Sequence, residues 1–448
     1  MKRIIISIIS IVCGFSAQAQ QKKIYIPEDL RGMDLQADSS KWSFNRSAET
    51  DDLIFMWERG FGQDTSNPPM LEGKPMSFNL NNLIDCVQSF YTFFHDTLAF
   101  VQTPSDSPLL RGREMGGSPL QKGREKVSKC DEYKMMVMVM YSNDGTAYGG
   151  TYDNFIGALW VAPNRIQDTK MNCMAHELGH SFQLQIPADS VGDAWGGSGF
   201  FEMTSQWMLW QVNPDWLTDE NYHFEAFKRL THKAFLHLDN IYHSPYVIQW
   251  WSDLHGRKSI AELYRQGRIG EDPVMTYKRM YGLSQDEFNR EMLRGYQHLM
   301  NFDFRHARKE TRQYACTFGT ELNHGDGSYR VGGGHRPKHF PEEYGFNAIL
   351  LDSLVDIRKP VYVAVRGTGN LHALTGITTD GESIYSDIDA RQFTVPEGKR
   401  LKHLYLIVTG APTEHFRIPM PTEEDPEPPQ VELEDYPYEF WVGNAPLE

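Results

Sequence analysis

Residues 171–185 read MNCMAHELGHSFQLQ, and this stretch decides how the rest of the chain is read. It holds His176-Glu177-Leu178-Gly179-His180, an HExxH pattern. On a helix, positions four apart share a face. His176 and His180 therefore offer two imidazole nitrogens to one metal ion. Glu177, about a third of a turn round the helix, reaches a water on that ion. The spacing predicts a helix. Asp168 or Thr169 supplies the N-cap, Met171, Met174, Ala175 and Leu178 form an apolar stripe, and Pro187 stops the element. Gly179 is a poor helix former and predicts close approach of another backbone.

HExxH alone is a weak pattern, equally compatible with two ordinary helix histidines and a solvated glutamate. A second piece lies downstream. Gly196-Gly197-Ser198-Gly199 leads into Phe200-Phe201-Glu202, and Glu202 opens the helical run EMTSQWMLWQ. It lies 22 positions after His180. That separation allows a loop and a return, so a carboxylate supplies a third ligand. Three protein ligands plus water is the open coordination of a catalytic zinc. Asp189 and Asp193, in the intervening connection, are rivals to Glu202. Gln183, one turn beyond His180, is a candidate to hold a ligand or the substrate; plain polar helix surface is the other reading.

HELGHSFQ followed by GFFEMTSQW resembles the gluzincins, metallopeptidases with HExxH and a downstream Glu ligand. The chain is also similar to a family of secreted HExGH proteins of unknown function. The similar segments are Phe55–Gly62, the HExGHxxQ helix, the Glu202 helix, Tyr281–Phe304 and Pro341–Asn347, spread over most of the mature chain. The HExGHxxQ form is similar to that of enhancin-like peptidases that act on mucins. The broad resemblance implies peptide-bond hydrolysis with Zn2+ on His176, His180 and Glu202, and Glu177 as general base. It also implies an α+β zincin-like catalytic domain, a small N-terminal sheet followed by a mostly helical part. The narrower resemblance implies fold and metal site without a substrate. In the gluzincin layout the edge strand of the sheet borders the cleft. On that layout Ala158–Val161, with Trp160, is expected to pair with an extended substrate. A metallopeptidase also needs a donor for the oxyanion of the tetrahedral intermediate. Tyr242 and His243 are the candidates, with His223 and His237 behind them; packing or surface roles are the alternative for each.

The chain has 448 residues, 40% of them hydrophobic and 12% aromatic, enough for two or three cores. Lys2 and Arg3, the apolar run Ile4–Phe15 and Ala17-Gln18-Ala19 read as a cleaved leader, residues 1–19, so the protein is expected to be exported: periplasmic, cell-surface or secreted. No later stretch reads as a transmembrane helix. The net charge is −15, or −17 without Lys2 and Arg3. Such an acidic chain repels nucleic acid and anionic lipid. Cys86, Cys130, Cys173 and Cys316 are too widely spaced for a zinc finger or a disulfide scaffold. A Cys86–Cys130 bridge is compatible with export, and Cys173 reads as an apolar filler.

Along the chain, DLIFMW (52–57), YKMMVMVMY (133–141) and FIGALWVA (155–162) read as buried strands. Residues 79–100 show helical spacing, 104–125 read as a loop, and 142–153, with Gly145, Gly149 and Gly150, as a turn. From Glu202 to about Arg308 the pattern is helical, with Trp207, Trp210 and Trp216 expected in the core. After that come short alternating runs at 360–365, 393–395, 403–409 and 436–442, an expected β-sandwich. His324, His335 and His339 read as turn histidines, and Pro421–Asp435 as an extended solvated loop. The expected division is a metallohydrolase domain over 20–312 and a sandwich over 313–448. The expected function is zinc-dependent hydrolysis of a protein or glycoprotein; amidase or esterase action keeps the zinc and changes the bond. The rival is a non-catalytic protein with a vestigial zinc site that contacts glycans through its β domain.

Overall fold

The computed structural model describes residues 21–101, 128–192, 195, 199–306, 308–323, 334–418 and 433–447. The leader, the 104–125 loop, Asp193, Gly196–Ser198, His324 and most of the acidic, proline-rich stretch lie outside the described residues.

Short apolar runs build the first sheet. Strands β1 (Ser47–Glu49), β2 (Leu53–Trp57), β3 (Met135–Val139), β4 (Ala147–Tyr152) and β5 (Ile156–Val161) line up in the order β1-β2-β3-β5-β4. The centre, β2-β3-β5, is parallel and the two outer strands are antiparallel. β2 and β3 are buried on both faces, as continuous apolar runs in a parallel sheet should be. The helices are α1 (Leu80–Thr92), α2 (Lys129–Glu132), α3 (Asn172–Ala188), α4 (Gly199–Val212), α5 (Trp216–Asp219), α6 (Asn221–Leu230), α7 (Tyr246–His255), α8 (Lys258–Gln266), α9 (Pro273–Tyr281) and α10 (Gln285–Leu299). Trp207, Trp210 and Trp216 are fully buried among them.

Two open sheets follow. One runs β10-β7-β12 (Gln392–Phe393, Val361–Gly367, Tyr438–Gly443) and the other β6-β11-β8-β9 (Phe346–Leu350, Leu401–Gly410, Asn370–Thr378, Ser383–Tyr385). Ile349, Leu374, Leu404 and Leu406 of the second sheet share one buried cluster with Val361, Phe393 and Phe440 of the first. The opposite face of the four-stranded sheet, with Ala348, Ala373, Tyr405 and Ile407, belongs to the core of the helical part. The chain is thus α+β, and its C-terminal strands are fastened to the helices by a shared core.

Two expectations change here. Ala158–Val161 is not an edge: β5 lies between β3 and β4. The edge is β4, the glycine-rich segment expected to be a turn. Its glycines have a packing reason. A Cβ at position 149 would fall 1.8 Å from the Glu177 carbonyl oxygen. Only a glycine lets this strand run against α3. The Cys86–Cys130 bridge is absent, and the four described cysteines are free thiols.

Helix α3 is tied to the sheet by polar side chains that reach backbone. Ser181 Oγ donates to Ala158 O at 2.7 Å, and Gln185 accepts from Gly157 N at 2.8 Å and donates to Phe155 O at 3.1 Å. Its start differs from expectation: Met171 turns through the left-handed region at φ 54°, and Asp168 Oδ1 accepts from Met171 N at 2.6 Å. Pro187 lies in the last turn.

A buried ion cluster clamps the C-terminal sheets to α9. His415 Nε2 lies 2.7 Å from Asp272 Oδ2, and its Nδ1 3.9 Å from Glu343 Oε2. Burial pushes the imidazole down, but the two carboxylates outweigh it and lift its pKa to about 9. This lies above the value of about 6.5 expected in the unfolded chain. The cluster's contribution is therefore full below about pH 6.5 and is lost as pH rises through about 9. Denaturant titrations should find His415→Phe destabilising at pH 6, with the gap to the unmodified protein narrowing by pH 9.5. Separately, Gly149→Ala should cost about 1–3 kcal/mol by overpacking against α3. Gly150→Ala, whose Cβ would meet Trp160 at an ordinary 3.6 Å, should be near neutral in the same unfolding assay.

Candidate metal centre

His176 and His180 project from one face of α3, and Glu202 from the first turn of α4. The two helices touch because residue 179 is glycine: a Cβ there would lie 2.8 Å from Ser205 Oγ. The three ligand atoms converge. His176 Nε2 is 3.0 Å and His180 Nε2 3.2 Å from Glu202 Oε2, and the two Nε2 atoms are 3.1 Å apart. Ligands about 2.0–2.1 Å from a tetrahedral zinc stand about 3.3 Å apart, so the triangle has the size of one face of such a site. Among the described residues this is the one group of three such side chains close enough to hold an ion.

The amides behind the histidines determine where their protons sit. Gln183 Nε2 donates to Phe201 O at 3.2 Å and to Ser205 Oγ at 3.1 Å. A backbone carbonyl can only accept, so the orientation of this amide is settled. Its Oε1 then faces His180 Nδ1 at 3.2 Å and accepts a hydrogen bond from the N–H there. Gln206 repeats the arrangement. Its Nε2 faces Tyr242 O at 3.4 Å and His223 Nε2 at 3.0 Å, and its Oε1 faces His176 Nδ1 at 3.3 Å. Both imidazoles therefore carry hydrogen on Nδ1. In the neutral ring the Nε2 lone pairs then point at each other and at the Glu202 carboxylate. Three lone pairs within 3.2 Å repel unless something positive lies between them. A proton serves one pair at a time; a metal cation serves all three.

The electrostatics follow the geometry. Burial pushes the Glu202 carboxyl up, but hydrogen bonds and charge from His176 and His180 hold it well below the usual range. Burial opposes charge on His180, and Glu202 outweighs it, so its pKa lies above the usual value. Burial raises the Glu177 carboxyl, while the two histidines and the Gly149 N–H pull it back only in part.

An open cleft of about 1500 Å³ surrounds the cluster, bounded by β4, α3, α4 and the segment 219–242. Tyr242 lines it, 40% exposed, with its ring 6.3 Å from that of His176. Burial, with the carboxylates of Glu202 and Glu177, raises its phenol pKa, so the hydroxyl keeps its proton. His243 does not line the cleft. It lies behind His223, its Nδ1 2.7 Å from His223 Nδ1, and His223 is the one that faces in. Burial and His243 push His223 down to about 3, so it stays neutral. His237 caps a short turn at Asp239. Trp160 reaches the cleft only through Tyr148, on which it stacks at 4.7 Å. Cys173, expected as a filler, is half-buried and lines the cleft; burial raises its thiol to about 11. Asp189 is not at the site: it accepts from Ser128 Oγ, Lys129 N and Gln185 Nε2 at the start of α2.

Gln206 and Ser205 escaped the sequence reading. Ser205 Oγ lies 3.2 Å from His180 Nδ1. Their positions three and four after Glu202, on one helix face, were the available signal. Of the C-terminal histidines among the described residues, His335 stacks on Phe440 and His339 on His232. The C-terminal sheets do not present an open aromatic platform at Trp441, which lies under Arg366 and against Gly334. Among the described residues, three of the four large exposed aromatic side chains, Tyr148, Tyr222 and Tyr242, ring the cleft instead.

The fold is α+β and the site a candidate three-ligand metal centre. The chain belongs to a family of unknown function, DUF6055, whose model matches residues 16–448. No curated protein matches it. No helix among the described residues is long and apolar enough to cross a membrane.

Gln206→Leu should free the His176 ring and weaken divalent-metal uptake by about 10- to 100-fold in calorimetric titration, with the fold retained; Gln206→Glu, which keeps an acceptor oxygen, should lose less.

Proposed function

We propose that this protein is an exported zinc-dependent metallohydrolase that cleaves peptide bonds in proteins or glycoproteins. The observation that carries the reading is the convergence of His176, His180 and Glu202, locked from behind by Gln183 and Gln206 into the tautomers that leave three lone pairs facing one point. Glu177 beside them and an open cleft in front supply the rest. In this reading the five-stranded sheet with α3 and α4 is a zincin-like catalytic half, and the two C-terminal sheets form a sandwich.

A zinc ion on this triad would polarise a substrate carbonyl and lower the pKa of a bound water to about 7. The remaining chemistry falls to the chain. Glu177 lies on the helix face next to both histidines, and burial lifts its carboxyl toward the range where a general base works. It accepts the proton of the attacking water and passes it to the leaving amine. Tyr242, protonated and beside the triad, is the candidate donor to the developing oxyanion. Peptide hydrolysis is favoured over cleavage of a small amide or ester because the cleft is large and open and has a strand edge, β4, along one side.

Purified residues 20–448 should carry about one zinc per chain by mass spectrometry. His176→Ala and Glu202→Ala should lose most of it. Glu177→Gln should keep the metal and lose about 100-fold or more of its turnover on casein, mucin or peptide libraries. Full activity in Glu177→Gln would exclude this mechanism. No metal uptake by the unmodified chain would exclude the enzyme altogether.

A further inference from the structure

The cleft is not the same at its two ends. Beyond His180 it is apolar, lined by Leu184, Pro187 and Phe201. Before His176 it is lined by charged groups: Arg165, Asp168, Lys170, Asp219 and Glu220. Most of these are already committed. Lys170 Nζ lies 2.7 Å from Asp219 Oδ2 and 3.4 Å from Asp215 Oδ2. Asp219 also accepts from Asn213 Nδ2 at 2.7 Å. Both oxygens of Glu220 are taken, one by Asn172 Nδ2 at 3.1 Å and one by Trp216 Nε1 at 2.9 Å. Asp168 receives the Met171 N–H.

Arg165 is the exception. It lines the cleft with Cys173 and the exposed Tyr222, its positive charge acts on both, and among the described residues it has no carboxylate partner. It is not held by an acid, as Lys170 on the same wall is held by Asp215 and Asp219. Nor is it a loose side chain on a loose loop. It sits on a single turn, Pro163–Arg165, that starts with a proline and is anchored by the buried Ile166. The Ala162 N–H before the turn bonds to Thr146 O, and Gln167 Nε2 bonds back to Pro163 O at 2.6 Å. Cys173 precedes His176 by three helical positions, about 4.5 Å along the axis. Cys173 thus stands about one helical turn from the metal triad, and the unpaired guanidinium acts beside it on the cleft wall. A planar fork of donors with no acid of its own matches a carboxylate.

Resting on the peptidase reading above, we infer that Arg165 selects substrates with a carboxylate on the Cys173 side of the scissile bond, an Asp or Glu side chain or a chain terminus, while the Leu184–Phe201 end takes an apolar residue. Arg165 is thus a specificity residue that touches the substrate and not the reacting atoms.

The test is equilibrium binding to the full chain carrying Glu177→Gln and loaded with zinc, so that nothing is turned over. The probes are two sets of short fluorescent peptides with blocked ends, identical except that every Glu in the first is Gln in the second. The acidic set should bind about five- to tenfold more tightly, with the margin shrinking as salt rises. Adding Arg165→Gln should erase that margin and leave metal content and binding of the Gln set unchanged. Equal binding of both sets with Arg165 intact, or a margin that survives Arg165→Gln, overturns the inference. An Arg165-dependent margin together with no hydrolysis of either set by the unmodified protein upholds it, and counts against the peptidase reading alone.

Discussion

Helix α3 is pressed between two neighbours that come closer than side chains allow. At Gly149 the edge strand β4 lies against the Glu177 carbonyl, and at Gly179 the helix meets Ser205 of α4. Both contacts exist because those positions lack a Cβ. The first brings the β4 edge alongside the site and puts the Gly149 N–H near the Glu177 carboxylate. The second brings the first turn of α4 within reach of the histidines, so that Glu202 closes the triangle. The surrounding core, with its fully buried tryptophans, makes the arrangement rigid.

Convergence alone would be costly. Three electron pairs meet in a largely buried place, and nearby glutamines hold the ring hydrogens on the far side. Such a cluster is destabilising without a cation and stabilising with one, which is the physical case for reading it as a metal site rather than as packing. A chance pair of buried histidines would more simply bond to carboxylates through the same nitrogens. The Gln183 and Gln206 oxygens opposite both Nδ1 atoms leave that option only to a ring protonated on both nitrogens, and Asn172 and Asn213 donate hydrogen bonds to the acids at one end of the cleft. Arg165 and Tyr242 line the space a substrate would fill.

The legible parts were those that depend on local spacing. Four-residue periodicity placed both histidines and Glu177 on one helix, and continuous apolar runs located β2, β3 and β5. The stretch 142–153 was misread because Gly149 and Gly150 carry no apolar side chain, so strand β4 has no alternation to detect; its glycines answer to a helix 28 residues away in sequence, Gly149 to Glu177. Strand β8, NLHALTGIT, went unseen for a related reason: polar His372 and Thr375 are buried in it, paired to other parts of the chain. His243 is a candidate as the neighbour of Tyr242 and Trp160 as part of the expected edge strand Ala158–Val161, but one intervening ring in each case, His223 and Tyr148, puts them behind the cleft wall.

By itself the sequence determined the ligand helix, the general-base candidate and the run of short strands after the helices, because these depend on periodicities of two or of three to four residues within one segment. It also placed Glu202 ahead of Asp189 and Asp193 as third ligand, because those two fall in the connection between the helices, where geometry is less fixed. Tertiary structure alone decided that Glu202 meets the histidines while Asp189 caps α2, that β4 is the edge, that Gln206 orients His176, and that Arg165 stands unpaired on the cleft wall. Each of these depends on contacts between segments distant in sequence or on different elements, where no spacing rule applies and only packing brings the atoms together.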